Sequence, residues 1–92
     1  MGKPNIEAVL NERGKRYGEF KEGAILAQHL KHEFYSYSTQ RSELTELTRE
    51  ALDMIFHKIA RIGNGDQTYL DNWVDIAGYA QLVVNELSKG SK

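Results

Sequence analysis

The stretch EALDMIFHKIARIGNGDQTYLDNWVDIAGY, residues 50–79, decides the fold. Two segments with helical spacing of apolar residues flank the turn Gly63-Asn64-Gly65-Asp66. Upstream, Leu44, Leu47, Ala51, Ile55, Ile59 and Ile62 recur on one face at about 100° per residue, which predicts a helix from Ser42 to Ile62. Downstream, Tyr69, Trp73, Ile76, Ala77, Ala80, Val83, Val84 and Leu87 predict a helix from Tyr69 to Leu87, capped by Asp66 or Thr68. Glycine and asparagine end the first of these because they accept a left-handed conformation at little cost. A linker this short predicts an antiparallel helix hairpin.

Working outward, Pro4 and Asn5 open a short first helix, with Ile6, Val9 and Leu10 at helical spacing and Gly14 as its end. RGKRYGEF, residues 13–20, then reads as a basic turn. It is either a solvated loop or a phosphate-binding edge helped by Tyr17. Ala24, Ile25, Ala27, Leu30 and Phe34 predict a second helix from Phe20 to Tyr35. His29 and His32 share one side of it, but no acidic residue at matching spacing accompanies them, so they read as ordinary surface histidines. FYSYSTQRS, residues 34–42, loses the helical period and reads as a loop. The expected architecture is therefore all-α: a small helical bundle built on the hairpin, one domain over residues 1–92 with 88–92 as a frayed tail.

Composition narrows the function. A chain of 92 residues buries a modest core, and self-association into a homo-oligomer is the expected supplement. The net charge of −1 gives no whole-protein electrostatic footprint for long nucleic acid. The absence of cysteine excludes disulfides and thiolate metal sites. No apolar run approaches the roughly 20 residues of a membrane span, and the N-terminus lacks the apolar core of a signal peptide, so a cytoplasmic protein is expected.

The polar residues that look placed fall on the two hairpin helices. Lys58 interrupts the apolar face of the first and must either reach solvent or meet a carboxylate. Glu50, His57 and Arg61 line one edge of that face, with Asp53 beyond them; Asn72, Asp75, Tyr79 and Glu86 share a flank of the second helix, with Asp71 behind. Three readings follow. One is a satisfied ion-pair network, such as Lys58 or Arg61 with Asp75. A second groups Glu50, Asp53, Asp71 and Asp75 around Mg²⁺, which favours oxygen ligands. A third takes Lys58 and Arg61 for phosphate, Trp73, Tyr79 or Tyr17 for base stacking, and Asp75 for a ribose or base edge. The mixed charge favours the third, because cations compete with a metal but hold an anion.

ERGKRYGEF, AQHLK, EALDMIFHKIARIGNGD and YLDNWVDIAGYAQLV together resemble a family of short uncharacterised proteins encoded mainly by bacteriophages and prophages, from about Leu10 to Val84. That family is distantly similar to MazG-like all-α nucleotide pyrophosphohydrolases, which hold Mg²⁺ with an ExxE pair on one helix and an ExxD pair on the next. Here Glu43-x-x-Glu46 and Glu50-x-x-Asp53 are expected on one helix, and the following helix offers Asp71-x-x-x-Asp75 instead. The family has no established activity to carry over. The polar seam, together with the analogy to small oligomeric phage proteins that sequester nucleotide signals, leads to the expectation of a phage protein that binds a nucleotide, or a nucleotide-derived immune signal, without turnover and without a cofactor, sequestering it against host defence. The alternatives are a Mg²⁺-dependent pyrophosphohydrolase and a phage factor that binds a host protein.

Overall fold

The computed structural model describes residues 5–90, and all four of the longer elements within them are α-helices, with no strand among the described residues. The helices are α1 (Ile6–Tyr17), α2 (Phe20–Tyr37), α3 (Glu46–Asn64) and α4 (Leu70–Ser88), with a short 3₁₀ turn, Arg41–Glu43, before α3. Helix α3 is the centre: α2 and α4 both pack on it, and α1 touches it near its end. That position explains why residues 51–58 are sequestered around most of the circumference, in contrast to the other helices.

The helix starts follow local capping chemistry. The Asn5 side chain accepts the backbone N–H of Ala8 and opens α1; Pro4 lies outside the described residues. The expected start of α3 at Ser42 is corrected by three residues or more. Thr45 is the cap, its hydroxyl accepting the N–H of Thr48 at 3.1 Å, while Arg41–Glu43 form the 3₁₀ turn. Asp66 and Thr68 do not cap α4. The Asp66 carboxylate instead closes a turn by accepting the backbone N–H and hydroxyl of Thr68, at 2.9 and 2.6 Å, and the position before α4 is Tyr69.

Two expected loops are helical. Gly14 does not end α1, which continues to Tyr17. The continuation is held by tertiary contacts: the Arg16 carbonyl accepts the N–H of Asp66 at 2.8 Å, and the Tyr17 ring lies under Arg61. Lys15 and Arg16 also sit favourably in the last turn, next to the negative end of the helix dipole. Similarly α2 runs through residues 34–37. Phe34 packs on Phe56, with ring centroids 5.2 Å apart, and the Tyr35 hydroxyl donates to Asp53 at 2.7 Å. These bonds to α3 outweigh the poor helix propensity of the serine and tyrosines.

The α1–α2 turn is locked to the end of α3. Gly18 has φ of 79°, and a Cβ there would collide with the backbone and side chain of Asn64. Asn64 Nδ2 donates to the carbonyls of Tyr17 and Glu19 at 3.2 and 3.0 Å. Gly65 in turn lies against the backbone of Arg16 and Tyr17. The Gly63–Asp66 segment is thus a docking point as well as a helix stop.

The core is thin. The buried apolar residues among those described are Ala27, Ala51 and Ala60. Helix α4 departs most from expectation. Its sequestered positions are Asn72, Asp75, Ile76, Tyr79 and Val83, and these face α3. Leu70, Trp73, Ala77, Ala80, Val84 and Leu87 are exposed, so the expected apolar face is turned largely outward. Leu47 and Ile59 of α3 are exposed as well.

Candidate functional site

The predicted polar residues separate into three groups. The first is the α3–α4 contact. Lys58 is buried, and its ammonium pairs with the Asp75 carboxylate at 3.1 Å. Its charge is therefore committed inside the fold. Asn72 packs beside this contact at 1% exposure, and its side-chain amide nitrogen finds no partner, a desolvation cost of about 1–3 kcal/mol. Tyr79 is half-buried on the same flank.

The second group lies where α1, the end of α3 and the α3–α4 turn meet. The guanidinium of Arg61 stacks over the Tyr17 ring, 4.0 Å from its centroid. The Tyr17 and Tyr69 rings meet edge-to-face at 5.9 Å, and Arg16 stacks over Tyr69 at 4.6 Å. The result is an alternating ladder, Arg61–Tyr17–Tyr69–Arg16. Its far end is neutralised: Arg16 pairs with Glu12 at 2.6 Å and donates to the Tyr69 hydroxyl at 2.7 Å. Tyr69 donates onward to Asp71 at 2.9 Å, and that bond holds the phenol above its ordinary value. Arg61 is different. No carboxylate lies within 4 Å of it among the described residues. Trp73 flanks the α3–α4 turn, with its indole N–H donating to the Gln67 carbonyl at 2.9 Å, and is half exposed. It is not the core residue that the apolar pattern implied.

The third group was not singled out from sequence. Lys31, His32, Tyr35, Ser36 and Arg41, with Gln28, line an open hollow between α2 and the 3₁₀ turn. Arg41 is held at its rim by the carbonyls of Ser36 and Ser38, and Ser36 lies 3.4 Å from His32 Nε2. Arg49 stacks over the Tyr35 ring at 4.4 Å. Lys31 and Arg41 also have no carboxylate partner among the described residues. His57 connects this group to the second. Its pKa is lowered first by burial and then by Arg61, Lys58 and Lys31, all cations. The α2–α3 surface around His57 thus carries Arg61 and Lys31 together with the Asp53 and Glu50 carboxylates beside Tyr35. Its parts come from different helices, so linear spacing gave no signal for it.

The four carboxylates considered for Mg²⁺ do not converge. Asp53 accepts the Tyr35 hydroxyl on the α2 side, Asp75 pairs with Lys58 on the α4 side, and Asp71 accepts Tyr69 beside the turn. Glu50 is exposed. Among the described residues no three histidine or acidic side chains come together in a way that fits a metal ion. Glu43 and Glu46, expected on one helix, lie in the 3₁₀ turn and in α3 respectively. No described helix is long and apolar enough to cross a membrane.

Comparison with known proteins adds one relationship. No curated protein and no solved structure matches the chain. The model of a domain of unknown function, DUF6378, matches residues 4–86, nearly the full length, and the protein therefore belongs to that family.

Proposed function

We propose that this protein is a self-associating helical module, built on an α3–α4 hairpin, that binds an anionic, nucleotide-like small molecule without turning it over. The observation that carries this reading is Arg61: a guanidinium pre-positioned on the Tyr17 ring, with no carboxylate partner among the described residues. Stacking fixes the planar fork while leaving its N–H groups available to a phosphate. Lys31 and Arg41 are further cations with no carboxylate partner among the described residues, and Tyr17 is the aromatic ring beside Arg61 that a base would meet. Lys58 is assigned to the fold and not to the ligand, because Asp75 already neutralises it. The dispersal of Glu50, Asp53, Asp71 and Asp75 supports binding over Mg²⁺-dependent hydrolysis. The resemblance to a phage-encoded family supplies the setting, sequestration of a host nucleotide signal in the cytoplasm of an infected bacterium.

Calorimetric titration with nucleoside mono-, di- and triphosphates in EDTA tests this. Binding with no pyrophosphate or phosphate release on later addition of Mg²⁺ is the expected result. Arg61→Ala is expected to weaken it about ten- to a hundredfold, since a charge-assisted bond to phosphate contributes roughly 1.5–3 kcal/mol. Unchanged affinity in a folded Arg61→Ala variant would overturn the reading, and so would a lack of binding across the whole nucleotide series.

A further inference from the structure

The exposed side of α4 has a second periodicity. Leu70, Trp73, Ala77, Ala80, Val84 and Leu87 are spaced three and four residues apart in strict alternation, the pattern of a coiled-coil seam, over almost the whole helix. All six are exposed: Leu70 and Leu87 are 68% accessible and Trp73 is 52%. Val74 and Gln81 flank the stripe, and no charged residue stands on it. Its midpoint is small, with Ala77 and Ala80, and its ends are bulky, so a facing helix can approach closely at the centre. Nothing among the described residues covers it, because α4 meets α3 through the opposite face, Asn72, Asp75, Ile76, Tyr79 and Val83.

The size of the exposed surface argues that a second copy covers the stripe. The chain exposes 7310 Å², whereas a monomeric globular protein of 10.5 kDa exposes about 5,400 Å². The radius of gyration is 16.0 Å, against about 12 Å for a compact domain of this length. The excess, roughly 1,900 Å², is more than the about 800 Å² that each partner contributes to a standard interface. A shortfall of this kind belongs to the chain's own folding, since the buried apolar residues among those described are three alanines. A small domain with so thin a core needs a constant partner, and the partner always available to it is a second copy.

We infer that two copies of this chain pair through the exposed α4 stripe, with Ala77 and Ala80 at the centre of the seam. This names the surface for the self-association half of the proposed function and is independent of the ligand half. Helix α4 of each copy then lies between its own α3 and the partner's α4, and the apolar residues that one chain leaves in water are buried.

Sedimentation or light scattering of the full chain at tens of micromolar, with circular dichroism on the same samples, tests the pairing. The wild type is expected as a dimer or a multiple of it. Ala77→Glu places a charge at the centre of the seam and is expected to yield monomers, or to weaken association at least tenfold. Phe20→Glu, at an 84% exposed apolar position on α2, is expected to leave the assembly intact. If Ala77→Glu unfolds the chain, an α4 disulfide test decides: an Ala80→Cys variant should cross-link between copies under mild oxidation, and a Phe20→Cys variant should not. A monomeric wild type would overturn both the seam and the self-association in the proposed function, leaving the stripe to a different protein. Undiminished association in a folded Ala77→Glu variant would overturn the seam alone, as would absence of the Ala80→Cys cross-link.

Discussion

The ammonium of Lys58 lies 3.1 Å from the carboxylate of Asp75, and the two ends of this pair sit in different surroundings. The lysine side chain is 10% exposed and the aspartate 45%. Removing the lysine leaves a carboxylate that water still reaches. Removing the aspartate leaves a buried ammonium with no partner. Asp75→Ala is therefore expected to destabilise more than Lys58→Met, by about 2–3 kcal/mol against about 1, somewhat below the range for a fully buried pair because Asp75 is partly solvated. Urea denaturation of both variants at one protein concentration checks the order. Equal losses would mean that packing and not charge dominates the contact.

The close approach of Gly18 to Asn64 makes a second prediction. A side chain at residue 18 would be strained by its φ of 79° and would collide with Asn64. Gly18→Ala is expected to cost about 1–3 kcal/mol, the usual penalty for forcing a side chain into a left-handed backbone position. Gly14→Ala lies inside α1 with open space around its Cβ and should stabilise by up to about 1 kcal/mol. Thermal melts of the pair, measured together, should move in opposite directions.

His57 gives the fold a dependence on mild acid. Its imidazole is held below the ordinary 6.5, first by burial and then by Arg61, Lys58 and Lys31. The unfolded chain therefore takes up this proton more readily than the folded one. Stability from this group is complete above 6.5 and is lost as pH falls from there through the lower folded value. His57→Gln should flatten that decline. Urea midpoints for wild type and variant that fall in parallel across this window would refute the assignment.

Tyr35 should titrate late. Its phenol is pushed up to about 12, first by burial and then by the hydrogen bond to Asp53. Ultraviolet titration should show a tyrosinate forming at about 12 that is absent in Tyr35→Phe. Asp53→Asn should lower it in part and leave it above 10, because burial is the larger cause. Since the folded value is raised, the stability contributed by this group is intact below 10 and declines as pH rises through about 12.

What the sequence determined by itself is the helical character of the chain and the location of its main breaks. Ala51, Ile55 and Lys58 fall on one face by period alone, and the break near Gly63–Asp66 is where the sequence places it, although α3 continues past the expected end at Ile62 to Asn64 and Gly65 is not left-handed. Asn5 marks a helix start because a side-chain oxygen next to free amides is a local relationship, whereas the same chemistry was expected at Ser42 and is found at Thr45. The tertiary structure decided the rest. Residues 13–17 and 34–37 read as loops until Arg61, Phe56 and Asp53 of α3 hold them in helices. The orientation of α4 was also beyond period analysis, because apolar residues occupy both of its sides: Ile76 and Val83 on one, Leu70, Trp73, Val84 and Leu87 on the other. Hydrophobicity alone selects the broader stripe. The buried Lys58 needs a carboxylate more than α3 needs another apolar neighbour, and Asp75 is on the narrower side. Pairing that charge turns Asn72, Asp75 and Tyr79 inward and leaves Trp73, Ala77 and Ala80 on the face that the single chain exposes, because a buried ammonium without a partner is costly.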